Sequence, residues 1–313
     1  MPETVLILSE DAQDYRAALS AQLGDARTML VATSVDTLPP AAADVRIVLG
    51  KPALLAPALP ALPKLAWAQS TFAGVDALLG ARLPTGCCLT GLKGVFGPLM
   101  AEYVLGQVIA VARDFRRLEQ AQRERRWEPL AYRGLSGRSL GVAGLGSIGQ
   151  RVAAAAAHFD MRVTGYKRTP GTVPGVERVQ VGGDFAAFAA EQEFLVLVLP
   201  GTPETQHLVD ARVLAAMAPD AWIINVGRGS AIDQSALVDA LAAGRIGGAV
   251  LDVLEEEPLP ADSPLWDLPN AIITPHVAAE SFPEQIVEVF IENLQRFERG
   301  EPLQHQIDLA RGY

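Results

Sequence analysis

The chain has 313 residues, half of them hydrophobic and a fifth charged, which suits two domains with buried cores and excludes a disordered protein. A net charge of −10 argues against nucleic acid or an anionic membrane as the main partner. The only two cysteines, Cys87 and Cys88, are adjacent, so neither a disulfide framework nor a thiolate metal centre is expected, and the cytoplasm is the expected compartment.

The opening MPETVLILSEDAQ lacks a basic start and a cleavage site, and reads as a first strand and not a signal peptide. No run reaches the roughly 18 apolar residues of a membrane span. Val5 to Leu8, Thr28 to Ala32, Val45 to Leu49 and Leu65 to Ser70 are short apolar runs that read as strands, with a helix over Asp11 to Leu23 and a proline cluster over Pro52 to Pro63. Thr71 to Asp76 follows the last of them as a turn. The residues alone leave open whether its backbone N–H groups face a ligand carboxylate or form a turn and nothing more.

Gly97 to Leu118 carries apolar residues at helical spacing in more than one stripe, which predicts one long helix buried on several sides, between domains or between subunits. Gln120 to Arg133, with Trp127, reads as a charged connector. Then comes the stretch around which the chain is organised, Arg138 to Asp160: a short apolar strand, the turn Gly144-Leu145-Gly146-Ser147-Ile148-Gly149, and an alanine-rich helix. In such a turn the first glycine permits the sharp exit from the strand and the second lets backbone approach a pyrophosphate. The third lets the helix pack closely, and the helix N-terminus faces the phosphates.

A second strand, Met161 to Tyr166, arrives at the spacing of a βαβ unit and ends in Lys167, Arg168 and Thr169. An NAD site places a carboxylate near this point to bind the ribose 2′-hydroxyl, whereas a 2′-phosphate needs positive charge. Two cations and a hydroxyl favour NADPH, with NADH possible. Strands recur at Phe194 to Leu199, Ala221 to Val226, Gly247 to Leu251 and Ala271 to Thr274, with helices at Asp210 to Met217 and Asp233 to Ala243 between them. This is a doubly wound, mostly parallel sheet, in which ligands lie beyond the carboxyl ends of the strands. A last amphipathic helix spans Phe282 to Glu298, and Glu301 to Tyr313 reads as a tail.

Three of those strands run into Arg228, into the acidic run Glu255 to Glu257, and into His276. An arginine between Gly227 and Gly229 can approach a substrate and hold a carboxylate at two points. A histidine titrates near neutrality and suits proton transfer. The residues alone leave open which of the three acids pairs with it. His158, His207 and His305 receive no role.

GLGSIG, the NVGRGS run at Asn225 to Ser230, LDVLEEEPLP at Leu251 to Pro260 and ITPH at Ile273 to His276 resemble the D-isomer-specific 2-hydroxyacid dehydrogenases. Within that family the chain looks most like the bacterial A-type glyoxylate/hydroxypyruvate reductases, through the basic run at Lys167 to Thr169, RWEPL near Trp127, SPLW at Ser263 to Trp266 and the ending ARGY. The resemblance implies two doubly wound Rossmann-like α/β domains. One is a flavodoxin-like substrate domain made from both termini, 1–98 plus 285–313; the other is a Rossmann nucleotide-binding domain over 99–284. An active site in the cleft and a homodimer through the nucleotide domain are implied as well.

For the site, the resemblance implies Arg228, Glu257 and His276 as catalytic residues. Glu257 is chosen over its neighbours because the family's acid directly precedes the proline, and it would favour the charged form of His276. Substrate contacts would come from Ala73, Gly74, Arg228 and His276. Cofactor contacts would come from Gly144, Gly146, Ser147, Ile148, Gly149, Lys167, Arg168, Thr169, Leu199, Pro200, Thr205, Val226, Gly227, Arg228, Asp252, His276 and Ala278, with no metal. The implied reaction is NADPH-dependent reduction of a small 2-oxo acid such as glyoxylate or hydroxypyruvate. A dehydrogenase of larger D-2-hydroxy acids using NAD(H) and a nucleotide-sensing corepressor-like binding protein are the alternatives.

Overall fold

A computed structural model describes residues 3–24 and 27–308. It divides into two compact units, Met1–Val95 with Ser281–Tyr313, and Phe96–Glu280. These divisions fall a few residues before the expected 98/99 and 284/285.

In chain order the first unit contains β1 (Val5–Leu8), α1 (Ala12–Leu23), β2 (Met29–Ala32), β3 (Ile47–Gly50), α2 (Pro52–Ala58), β4 (Trp67–Ser70) and β5 (Cys88–Thr90). The second contains α3 (Gly97–Ala112), α4 (Phe115–Arg123), β6 (Ser139–Ala143), α5 (Ser147–Ala157), β7 (Arg162–Lys167), β8 (Arg178–Val181), α6 (Phe185–Ala190) and β9 (Phe194–Leu197). It continues with α7 (Ala211–Ala216), β10 (Trp222–Asn225), α8 (Gln234–Ala242), β11 (Gly248–Leu251) and β12 (Ala271–Ile273), after which α9 (Pro283–Glu298) belongs again to the first unit.

The first unit is a parallel five-stranded sheet in the order β2-β1-β3-β4-β5, the flavodoxin-like arrangement. Leu6, Leu8, Val48, Ala68 and Leu89 face one core with Leu55 of α2. On β4, Trp67 stacks against Phe290 and Phe297 of α9 at 5.0 and 5.6 Å between ring centroids. The expected tail is not loose as far as it is described. Gly91 N–H donates to the His305 carbonyl and Ile307 N–H to the Leu89 carbonyl, both at 2.9 Å, so the segment pairs along edge strand β5.

The second unit is a parallel seven-stranded sheet in the order β12-β11-β10-β9-β6-β7-β8. Strand order reverses between β6 and β9, the switch point of a Rossmann fold. Alternation along the strands divides the apolar side chains between two layers: Leu195, Leu197, Ile223 and Leu251 face one core, while Phe194, Val196, Ile224 and Val250 face the other. Strands apolar at every position are therefore strands buried on both faces.

One expected element is corrected. The single helix over Gly97 to Leu118 is two helices, because Asp114 adopts a left-handed backbone with φ of 50°. No Gly or Pro marks the break. Arg116 donates to the carbonyls of Pro269 and Ala271 at 2.9 Å each, which ties the start of α4 to β12 and redirects the chain. Among the described residues no helix is long and apolar enough to cross a membrane.

Candidate active site

At the switch point, the glycines of the first turn do different work. Gly144 has φ of 97°, and a Cβ there would lie 2.2 Å from the Val198 carbonyl oxygen. A Cβ at Gly149 would lie 1.9 Å from the Gly144 carbonyl oxygen, so α5 could not sit where it does. Gly146 is different: nothing lies within 4 Å of a Cβ built there. The protein's own packing does not require that glycine, so room is left there for close approach of a ligand. Ser147 opens α5, and Gln150 braces the turn by donating to the Leu145 carbonyl at 3.0 Å.

Gly144 N–H donates to the Tyr166 carbonyl at 2.9 Å, which sets the exit of β7 beside the glycine turn. Lys167 is half-buried there, and Arg168 and Thr169 are exposed; no acid stands among them. Glu204 feels the charge of Arg168: its carboxyl is held below the usual range chiefly by its own backbone N–H, then by Thr202 and by that guanidinium. Beyond β9, Leu199 is buried and Thr205 closes its own loop: its hydroxyl donates to the Pro200 carbonyl at 2.6 Å and accepts from Thr202 N–H at 3.0 Å.

After β10 the buried Asn225 folds its side chain over the next turn. Its Nδ2 donates to the Arg228 carbonyl at 2.9 Å and its Oδ1 accepts from Gly227 N–H at 3.1 Å. The glycines flanking Arg228 are required by packing. A Cβ on Gly227 would lie 2.6 Å from the Leu199 nitrogen, and one on Gly229 would lie 1.9 Å from the Leu254 carbonyl group.

His276 Nδ1 lies 2.9 Å from Glu257 Oε2, and Glu257 Oε1 accepts from Leu254 N–H at 2.9 Å. The carboxylate thereby fixes a proton on Nδ1 and leaves Nε2 as the ring nitrogen for chemistry. Glu255 faces a different histidine, His207 Nε2, at 2.5 Å. The acidic run thus splits: Glu255 ties down the loop after β9, and Glu257 orients His276.

His276 itself stands at φ of 55°, a conformation few non-glycine residues adopt. It is held from below by Asp252, only 2 % exposed. The Asp252 carbonyl accepts from His276 N–H at 2.9 Å. The Asp252 carboxylate accepts from the Thr274 hydroxyl at 2.6 Å, from Val277 N–H at 2.9 Å and from Ala278 N–H at 3.0 Å. Because Thr274 spends its proton on Asp252, its oxygen accepts from Tyr103 at 2.6 Å. Burial pushes the Tyr103 phenol up to about 12, so it remains a donor. Asp252 and Ala278, expected as cofactor contacts, thus also brace each other. Asn225, Thr274 and Tyr103 were not singled out from the sequence, although the first two stand inside the NVGRGS and ITPH runs.

In the first unit, Ala73 and Gly74 follow β4. Among the described residues neither N–H donates a hydrogen bond within the protein. The preceding Ser70 hydroxyl fixes the turn, donating to the Phe72 carbonyl at 2.7 Å and accepting from Phe72 N–H at 3.0 Å.

The profile of the NAD binding domain of D-isomer specific 2-hydroxyacid dehydrogenases matches residues 105–278. The chain belongs to this family. A glyoxylate/hydroxypyruvate reductase A of Escherichia fergusonii is 36% identical over 217 residues, 69% of this chain and 70% of that protein. A D-isomer specific 2-hydroxyacid dehydrogenase family protein of Aeromonas salmonicida is 41% identical with a TM-score of 0.93, over 99% of this chain and 100% of that one. A D-isomer specific 2-hydroxyacid dehydrogenase of Xanthobacter autotrophicus, solved with NADPH and MES, is 35% identical with a TM-score of 0.92 over 100% of both chains.

For a dehydrogenase the second unit is built consistently. The glycine turn, the open Gly146 and the cationic end of β7 suit a dinucleotide with a 2′-phosphate, while an arginine follows β10 and an oriented histidine follows β12, on either side of β11 in the same sheet.

Proposed function

We propose that this dehydrogenase reduces a small 2-oxo acid, glyoxylate or hydroxypyruvate, to the 2-hydroxy acid with NADPH. The observation that carries this reading is the His276–Glu257 pair, 2.9 Å apart, with its Nε2 left for proton transfer at the rim of the nucleotide sheet. Lys167, Arg168 and Thr169 would hold the 2′-phosphate, and the α5 N-terminus with Gly146 the pyrophosphate. When bound, NADPH supplies the hydride, and the protein binds and orients.

Arg228 holds the substrate carboxylate and polarises its carbonyl, the Ala73 and Gly74 amides donate to the carboxylate, and His276 Nε2 gives a proton to the carbonyl oxygen as it becomes a hydroxyl. Glu257 keeps the imidazole in the right tautomer. Two adjacent thiols kept reduced fit the cytoplasm. A two-fold dimer is also proposed: Phe115, Leu118 and Trp127, the last 98% exposed, leave apolar surface around α4 that an isologous partner would cover. Light scattering at micromolar concentration decides that point, a monomer mass ruling it out. The activity is tested by a screen of 2-oxo acids against NADPH and NADH. NADPH oxidation dependent on glyoxylate or hydroxypyruvate is expected, and turnover only of larger 2-oxo acids with NADH would overturn the reading.

A further inference from the structure

The loop of residues 198–210 leads from β9 to α7, beyond the carboxyl end of the strand that meets β6 at the switch point. Its first residues are wedged between two turns. The Val198 carbonyl oxygen lies 2.2 Å from where a Cβ on Gly144 would stand, and the Leu199 nitrogen 2.6 Å from one on Gly227. Its last residues pair with the turn after β10: Val209 N–H donates to the Ala231 carbonyl at 2.9 Å, and Asp233 N–H to the Val209 carbonyl at 3.0 Å.

Between these ends the loop reaches sideways in both directions. Glu204 feels the charge of Arg168, past β7, two strands from β9 on one side. His207 reaches Glu255, past β11, two strands from β9 on the other side. The loop therefore extends across the switch point, where a doubly wound sheet takes its ligand. Thr205 makes its middle compact, the hydroxyl donating to the Pro200 carbonyl at 2.6 Å and accepting from Thr202 N–H at 3.0 Å.

His207 ties this loop to two other turns at once. Its N–H donates to the Ser230 carbonyl at 2.8 Å, after β10, and its Nε2 lies 2.5 Å from Glu255 Oε1, after β11. Its backbone is left-handed, with φ of 48°. Glycine would take that conformation and make the same backbone bond without the steric cost of a Cβ, so what the histidine adds is its ring. The two side chains are 44% and 32% exposed, and an exposed pair contributes little to folding. Its effect falls on the loop it holds.

We propose that His207 is a positioning residue for the cofactor: latched to Glu255, its ring holds the loop of residues 198–210 across the dinucleotide at the switch point, and so slows the departure of NADPH. This rests on the reading that the glycine turn holds the pyrophosphate. Release of the ring leaves the loop fixed by backbone contacts at its two ends, with the stretch between them free to open.

Two single variants and their combination test the latch. His207→Gly keeps the backbone conformation and deletes the ring; Glu255→Ala deletes the carboxylate. In protein free of cofactor, either change is expected to speed amide hydrogen exchange over residues 200–206 about threefold or more, with β10 and β11 unchanged. In stopped-flow displacement of bound NADPH, each should raise the dissociation rate about threefold to fivefold, the worth of an exposed pair, and the double variant should go no further. The KM for NADPH should rise while kcat holds or rises, because Arg228, Glu257 and His276 are untouched. A dissociation rate unchanged in both single variants, effects that add in the double, or a fall in kcat alone overturns the latch. Failure of the unaltered protein to bind NADPH, or binding unaffected by Gly146→Val, overturns the cofactor-site reading beneath it.

Discussion

Asp252→Asn isolates what positions His276. The carboxylate accepts three hydrogen bonds, two at one oxygen from the Thr274 hydroxyl and Val277 N–H, and one at the other from Ala278 N–H. An asparagine keeps a single acceptor. With its oxygen toward Thr274 and Val277, its amide nitrogen faces the Ala278 N–H, donor against donor. Leaving that buried N–H unpaired costs about 1–3 kcal/mol, and changing the two surviving bonds from charged to neutral acceptors removes about 1 kcal/mol each. The sum, about 3–5 kcal/mol, corresponds to a fall in Tm of roughly 10 °C for a domain of this size. The milder Tyr103→Phe removes the hydroxyl shared with Thr274 and Gln107, leaves all three bonds to Asp252 in place, and should cost about 1–2 kcal/mol. The assay is scanning calorimetry on protein free of cofactor, beside kcat. Absence of cofactor matters because Asp252 is also an expected cofactor contact, and a lost cofactor contact cannot lower the Tm of a protein that holds none. An unchanged Tm for Asp252→Asn, with only the KM for cofactor raised, would refute the bracing role.

His276→Ala should lower kcat about a hundredfold to ten-thousandfold, and Arg228→Ala should damage KM and kcat together; steady-state kinetics showing near-full activity in His276→Ala would displace the proton donor from β12. Lys167→Asp with Arg168→Ala should shift the ratio of kcat/KM from NADPH toward NADH by about tenfold or more, a ratio that stays fixed if the 2′-phosphate is held elsewhere. Burial, with Cys88 alongside, pushes the Cys87 thiol from 9.0 up to about 12. Between those values the unfolded chain has lost a proton that the native protein keeps, so the stabilising contribution is complete below about pH 9 and is lost as pH rises toward about 12. Urea unfolding across that window should show a decline that Cys87→Ala flattens.

Much of the nucleotide domain was legible because its inner strands are buried on both faces, so continuous apolar runs stood out against the glycines and polar turns that end them. Two of the four edge strands did not announce themselves: β5 has three residues, and β8 begins and ends at the exposed Arg178 and Val181. Prolines masked α2, although Pro52 occupies its first turn, where a missing N–H costs nothing. The break between α3 and α4 is marked by no Gly or Pro, only by the left-handed Asp114, and the contact beside it, from Arg116 to the Pro269 and Ala271 carbonyls, reaches more than 150 residues further along the chain.

The same division runs through the site. Arg228 and His276 could be singled out as candidates because each stands just past a strand end of a doubly wound sheet, a place fixed by the succession of strands, whereas the choice of Glu257 rested on the family resemblance. Which glutamate serves His276 is decided by geometry: Glu255 and Glu257 stand two residues apart and serve different histidines. The bracing residues are harder still to read, because their partners are remote: Thr274 reaches back 22 residues to Asp252 and Tyr103 reaches 171 residues to Thr274. A sequence therefore exposes groups whose position the sheet dictates, and conceals those whose position is dictated by another side chain. Glycine obeys the same distinction. Gly144, Gly149, Gly227 and Gly229 are required by neighbouring backbone, whereas Gly146 meets nothing of the protein's own, the openness expected of a place that a ligand approaches closely.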